Sequence, residues 1–530
     1  MGHREQHPTI RRRAVLGAGA ALGAGVAGFA AAPASAADTS EGGAGAAAPD
    51  SGGVEPVSLI FDEGAYTELT TTITVDAATK RKITYHFYRA ITYVARPVNA
   101  TYQSLNVCVP VEIDGQTVNA GNAPIVLVNH VGGYLSASTA AYTGVSPAGT
   151  PQGPITGHVI SPSNAELALA SGYVVVEPGS RGHDNKASDG TYFGKAPAAI
   201  VDLKAAVRYI RHNKGRLPGD TDRIVSSGIS AGGAMSALLG SSGDSPRYHP
   251  YLKDLGAADE SDAVFAVATF CPIGDLEHAD MAYEWELGTV KLNSTHALVD
   301  QTASQELRSA FPAYQDSLRL RGRNGFGPLT ADRLADYIRE THLQPAATRY
   351  LAALSQTDRT AYLSANPWIT WSGGRASFGW DDYLVHIGRL KSVPAFDTFD
   401  LSAFENAEFG DETTNARHFT LYSLRHATGD GAAQLDSDLP EKIDLMNPFH
   451  FIRTRNSGRA RHWRIRTGTS DVDTSHVIVT NLSAALENLG DEVDTRLYWD
   501  GGHGDNEDAP ELMRWIGRFA RGPKRSGRRA

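Results

Sequence analysis

Two short stretches of this chain could carry covalent chemistry. The first is Gly228-Ile229-Ser230-Ala231-Gly232, a Gly-x-Ser-x-Gly turn preceded by Ile224 and Val225 and followed by Ala234, Met235, Ala237, Leu238 and Leu239. A serine on a tight strand-to-helix turn projects its Oγ away from the chain, and the turn needs neighbours without side chains. The N–H of Ala231 then opens a helix, where it can meet negative charge developing on a carbonyl oxygen. The second stretch is Trp499-Asp500-Gly501-Gly502-His503-Gly504, a Gly-rich loop able to swing an imidazole over such a serine. Nucleophile plus base is acyl-transfer chemistry, and it asks for a carboxylate behind the imidazole.

That carboxylate is expected after the strand-like Trp463-Arg464-Ile465-Arg466, in the loop Thr467–Ser475. Asp471 comes first and is taken as the acid. Asp473 follows two residues later, and side chains two apart in extended chain point the same way, so geometry alone does not exclude it. His130-Val131-Gly132-Gly133-Tyr134 directly follows another strand pattern. Its Gly132 and Gly133 N–H groups, with that of Ala231, are the expected oxyanion donors. Each motif by itself could be an ordinary glycine turn; their shared order along the chain favours the chemical reading.

The elements that must position these residues fall into two kinds. Thr70–Val75, Lys82–Tyr93 and Ser104–Val111 mix β-branched and aromatic residues and predict antiparallel strands. Pro124–Asn129, Tyr173–Glu177 and Val264–Cys271 are continuous apolar runs, as in parallel strands buried on both faces. Ile200, Leu203, Val207 and Ile210 recur at helical spacing between them. Val493–Tyr498 reads as a last strand and Pro510–Arg521 as a last helix. The sum is a doubly wound α/β sheet with Ser230 at a strand's carboxyl end, the α/β-hydrolase arrangement.

Ser230 to Asp471 is too long for one strand and one helix, so a large inserted lid domain is expected at 274–447. The core then divides into 57–273 and 448–521. Within the insert, Thr330–His342 predicts a helix capped by Thr330 with Leu334 and Ile338 on one face. Trp368, Trp371 and Trp380 are expected in the core, with one of them a candidate for a pocket wall.

The 530 residues are 41% hydrophobic and 20% charged with a net charge of −10, which fits a globular chain and argues against nucleic acid or an anionic membrane as partner. Residues 1–36 carry Arg12-Arg13, a soft Ala/Gly-rich run and Ala34-Ser35-Ala36, and read as a twin-arginine-type export signal. A flexible Gly/Ser/Ala linker follows at 37–56, and 522–530 reads as a basic tail. The expectation is a secreted monomer with no membrane attachment once the signal is removed. Cys108 and Cys271 are expected as two buried free thiols, a disulfide being the alternative. No metal or other cofactor is expected: there is no HExxH and no zinc-spaced Cys/His cluster. Asp505, Glu507 and Asp508 beside His503 read as a solvated acidic loop.

Taken together, Ser230–Ala234, Cys271–Leu276, Ala282–Trp285, Pro394–Thr398, Glu405-Asn406 and Asp471–Ser475 resemble bacterial tannases, the tannin acyl hydrolases, from about Ile83 to Phe519. The resemblance implies a small-molecule substrate, a galloyl ester, and a lid over the active site. It implies Ser230, Asp471 and His503 as the triad, which settles Asp471 over Asp473. It further implies Lys391, Glu405 and Asp473 as contacts to the galloyl hydroxyls. The cysteines that mark the fungal-type tannases and feruloyl esterases are absent here, since Gly502 precedes His503 and Ser227 and Ile229 flank the serine turn. Alternatives are a secreted esterase for other aryl or hydroxycinnamoyl esters, a peptidase, and a catalytically silent binding protein; the last usually lacks the serine or histidine retained here.

Overall fold

The apolar runs become the strands of one mixed sheet. The computed structural model describes residues 55–76, 78–146 and 163–520; the segments expected as an export signal and a basic tail, and most of the expected linker, lie outside them. From one edge, the strands run Thr67–Thr74, Lys80–Thr92, Ser104–Ile113, Val174–Pro178, Pro124–Val128, Asp220–Ile229, Ala266–Phe270, His462–Gly468 and Glu492–Tyr498, with the two-residue Gln116–Thr117 beside the third. The first three pair antiparallel. From Val174–Pro178 onward the pairing is parallel, as the continuous runs predict. Pro124–Val128 and Val174–Pro178 are buried at every residue because both faces are covered.

Alternating side chains build two separate cores. Ile125, Leu127, Val174, Val176 and Ile224 face helices Ala198–His212 and Ala231–Ser241. Val126, Val128, Val175 and Val225 face helices Asn164–Ala170 and Ala509–Ala520. The strand order reverses around Pro124–Val128, which puts the carboxyl end of Asp220–Ile229 at a switch point, where open α/β sheets bind ligands.

The long excursion leaves after Ala266–Phe270 and returns before His462–Gly468. Its ends meet: Asn447 Nδ2 donates to Asp275 Oδ1 at 2.8 Å in a buried contact. Between them lie helices, among them Leu276–Leu287, Gln301–Ser317, Gln344–Ala353 and Trp380–Ile387, and two small hairpins. The helix predicted at Thr330–His342 is Ala331–Ile338 followed by a widened π turn, Arg339–Leu343. Leu334 and Ile338 are both buried, but the Thr330 hydroxyl makes no capping hydrogen bond. Trp368, Trp371 and Trp380 are half-buried against the core. Cys108 and Cys271 are free and buried.

Candidate active site

Ser230 sits between strand Asp220–Ile229 and helix Ala231–Ser241 with φ 60° and ψ −127°, a conformation that costs an ordinary residue about 1–3 kcal/mol. The fold holds it there. Its N–H donates to Phe270 O at 3.0 Å, and its carbonyl accepts from Ala234 N at 2.9 Å. The flanking glycines leave no alternative: a Cβ on Gly228 would lie 2.2 Å from Gly232 O, and one on Gly232 would lie 2.6 Å from Val131 O.

Two groups from the C-terminal part of the chain converge on this turn. Ser230 Oγ and His503 Nε2 are 2.8 Å apart. His503 Nδ1 lies 3.0 Å from both carboxylate oxygens of Asp471. An ionised carboxylate only accepts, so Nδ1 carries the proton and donates, leaving Nε2 to accept from the serine hydroxyl. Asp471 is itself fixed by Thr467 Oγ1 at 3.0 Å and by the N–H of Asp473 at 3.1 Å. Burial would raise the Asp471 pKa, but the facing His503 outweighs it and keeps the carboxylate ionised below the usual range. Burial also opposes protonation of His503; Cys271 and Asp471 more than offset this and hold its pKa well above the ordinary value. Asp473 Oδ2 is 4.0 Å from His503 Nδ1, farther than Asp471.

In front of Ser230 opens a cavity of about 340 Å³, lined by Ser230, His503, Gly133, Lys391, Glu405 and Asp473 among others. The structure therefore brings the six together. Gly132 is buried behind this wall, and none of Trp368, Trp371 and Trp380 reaches it. The Gly133 carbonyl accepts from His183 Nε2 at 3.1 Å, and His130 meets the buried Glu177 at 2.9 Å, which fixes both ends of the loop.

The excursion builds its share of the cavity through buried polar networks. Arg389, paired with Glu284 at 2.8 Å, donates to Lys391 O at 2.8 Å and Ser392 O at 2.9 Å, and so holds the Lys391 loop. Tyr283 ties the two walls together: its hydroxyl donates to Val472 O at 2.7 Å and accepts from Lys391 N at 3.2 Å. Asp280 accepts three N–H groups, from Ala395, Phe396 and Asp397 at 2.7 to 3.0 Å. Burial still pushes its pKa up to about 7. Asp397 in turn accepts from Asn406 Nδ2 at 2.7 Å, which places helix Phe404–Glu408 and hence Glu405. Glu405 is only 6% exposed. Burial raises its pKa and Lys391 lowers it, while Asp473 adds a smaller upward push; the three charges sense one another across the cavity. The Lys391 ammonium stands 3.9 Å over the Phe396 ring.

Sequence reasoning missed Tyr283, Arg389 and Asp280 as positioning groups, and Ile273, Thr398 and Phe404 as cavity walls. Phe404, 41% exposed beside buried Glu405, has a signal only in three dimensions. The acidic loop is corrected. Asp508 is only partly exposed and is paired: it accepts from Arg464 at 2.5 Å, Arg466 at 3.0 Å and Tyr498 Oη at 2.5 Å. Among the described residues, Cys271, Asp471 and His503 are the group with metal-ligating atoms close together, and both ring nitrogens of His503 are engaged by Asp471 and Ser230.

A family model described as BD-FAE matches residues 160–314. Short stretches match two esterases of Mycobacterium tuberculosis, LipQ at 35% identity over 88 residues and LipC at 37% over 71. These stretches span 17% and 13% of this chain and only 20% and 17% of those proteins. Solved structures match far more. A tannin acyl hydrolase in complex with 3,4-dihydroxybenzoate is 37% identical with a TM-score of 0.74, over 87% of this chain and 99% of that one. A tannin acyl hydrolase in complex with ethyl gallate is 35% identical with a TM-score of 0.73, over 87% and 99%. The tannase of Fusobacterium nucleatum is 33% identical with a TM-score of 0.74, over 88% and 100%. Identity at this level along the full length of those enzymes, on the same sheet and excursion, is common descent: the chain belongs to the tannase family of carboxylic ester hydrolases with the α/β-hydrolase fold.

Proposed function

We propose that the protein is a secreted serine esterase that cleaves galloyl esters to gallic acid. The observation that carries this reading is the single cavity in which Ser230 and His503 face Lys391, Glu405 and Asp473. A galloyl ring offers three adjacent phenols. Two carboxylates accept from them in charge-assisted hydrogen bonds, and an ammonium donates to a phenol oxygen and offsets the negative charge.

The reaction runs in two steps. His503 Nε2 takes the Ser230 proton as Oγ attacks the ester carbonyl, forming a C–O bond. Negative charge moves to the carbonyl oxygen, facing the N–H groups of Ala231 and the Gly132-Gly133 loop. The imidazolium, stabilised by Asp471, returns its proton to the departing alcohol or phenol, leaving galloyl-Ser230. Water, deprotonated by His503, then attacks the same carbonyl; Ser230 leaves with the proton and gallic acid is released. The 274–447 segment acts as the lid that supplies Lys391 and Glu405. The leader at 1–36 directs the folded protein out of the cell, and a mature N-terminus near Ala37 in the culture medium checks that step.

Hydrolysis of methyl gallate, methyl ferulate and methyl benzoate tests the reading. Three buried polar contacts at about 1–3 kcal/mol each predict a gallate preference of at least ~100-fold in kcat/KM over benzoate. Glu405→Gln should lower gallate turnover by roughly 10- to 100-fold and leave benzoate alone. Ser230→Ala should lose on the order of 10⁶-fold on every ester. Equal turnover of ferulate would move the assignment to the broader aryl esterases, and Glu405→Gln affecting all three esters alike would remove the galloyl pocket.

A further inference from the structure

Among the described residues, the edge strand Glu492–Tyr498, which leads straight into the His503 loop, has no strand beyond it. The excursion meets its flank with the hairpin turn at Arg323-Asn324, the turn Arg339–Leu343 and helix Gln344–Ala353. Between them is a cleft of about 480 Å³ lined by Arg323, His342, Arg349 and Arg496 among others, and it shares no residue with the Ser230 cavity. The wall at Arg339–Leu343 is a π turn. Such turns are rare, cost regular hydrogen bonding, and concentrate at functional sites.

Three arginines and one carboxylate line this cleft, and the carboxylate, Glu340, is met by Arg339 at 3.0 Å. Arg496 is met by Glu511 at 3.0 Å and Asp494 at 3.3 Å, and Arg323 by Glu487 at 3.7 Å. Arg464 and Arg466, behind the strand, share Asp494 and Asp508. Arg349 forms no ion pair among the described residues; it makes one hydrogen bond, Nη2 to Leu497 O at 3.2 Å. Burial, then the nearby Arg496 and Arg466, press its pKa below the ordinary arginine value. His342 is 4% exposed, and its buried Nε2 has no partner. Burial and Arg323 hold its pKa down to about 3, so the ring is neutral at working pH and offers a hydrogen bond rather than more charge.

We propose that this cleft is a second binding site, for a small oxyanion such as a carboxylate or phosphate group, held by Arg349 with Arg323 and Arg496 around it. A planar guanidinium without a counter-ion presents the paired donors that such groups match. A bound anion supplies the counter-charge that Arg349 lacks and bridges the excursion to the strand that carries the His503 loop.

Isothermal titration of the full protein at low ionic strength, with inorganic phosphate and separately with benzoate, tests this. One saturable site per chain is expected, weakened at least tenfold by Arg349→Ala and less by Arg349→Lys. Binding of phosphate alone identifies a tetrahedral oxyanion site, and binding of benzoate alone identifies a carboxylate site. Ester hydrolysis by Arg349→Ala should stay within twofold of the parent, which verifies its fold; if that variant fails to fold, Arg323→Gln serves in its place. Absence of saturable binding by either anion, or binding indifferent to these substitutions, overturns the proposal.

Discussion

His503 and His476 both hold Nδ1 against a buried carboxylate, at 3.0 Å from Asp471 and at 2.7 Å from Glu286, and they differ in what meets the other nitrogen. In His503 it faces the Ser230 hydroxyl on the wall of an open cavity. In His476 it faces the carbonyl of Gly468 at 3.1 Å in the closed core. A carbonyl accepts and a carboxylate accepts, so His476 satisfies both by carrying two protons. Its pKa is raised accordingly: burial opposes the charge, but Glu286 outweighs it. Glu286 also accepts from Ser475 Oγ at 2.6 Å and His476 N at 2.8 Å, which clamps the helix behind the Asp471 loop. The same acid–histidine pair is thus a rivet in one place and a proton relay in the other, and the partner of Nε2 decides which.

The largest expected effect breaks the relay. Asp471→Asn should keep the fold and lower kcat by roughly 10⁴-fold, because an amide no longer fixes the tautomer that leaves Nε2 free to accept. A loss under tenfold would mean that Asp473, 4.0 Å from the same nitrogen, substitutes for it. Glu286→Gln should do the reverse. It removes one partner of a buried ion pair, which costs about 3 kcal/mol of stability, while kcat changes less than about tenfold. The sign with pH follows from the raised His476 pKa: pairing stabilises most below the ordinary histidine value of about 6.5 and fades as pH rises through the folded-state value. Thermal melts of parent and variant should therefore diverge most in mild acid. A gap that widened toward alkaline pH would show that His476 is neutral and that the contrast with His503 is misdrawn.

How far the sequence was legible follows the same division. Pro124–Val128 and Ala266–Phe270 read as parallel strands because burial on both faces leaves no polar position to interrupt them. Ser230 was legible because its turn tolerates no Cβ at Gly228 or Gly232. Lys391 and Glu405 were not, except through family resemblance. Lys391 is set by Arg389 and Glu284, which lie 105 positions apart, and Glu405 by an Asp397–Asn406 contact inside irregular chain; neither leaves a period. Asp508 had a signal that went unused. Arg464 and Arg466 stand in a fully buried stretch of strand, and buried guanidinium groups require acidic partners. The Thr330 cap failed for a smaller reason: the residue type and extended backbone are right, but the hydroxyl does not reach the first turn.

The smallest expected effect sharpens the relay itself. Cys271 Sγ lies 4.0 Å from His503 Nε2, on the side where Ser230 also approaches, whereas the second group beside His476 Nε2 is the Tyr383 hydroxyl at 3.4 Å. Burial disfavours the His503 imidazolium, and Cys271 and Asp471 favour it, so kcat/KM should rise with pH through a limb displaced to the alkaline side of about 6.5 as the base becomes free. Cys271→Ala removes one of the two favourable neighbours and leaves the Asp471 bond and the Ser230 turn in place. The limb should then move to lower pH, with the plateau rate within about threefold of the parent. A limb that stays put would assign the elevation to Asp471 alone, and His503 and His476 would then owe their raised values to the same single cause. A plateau lost along with the thiol would instead make Cys271 part of what holds Nε2 toward the serine.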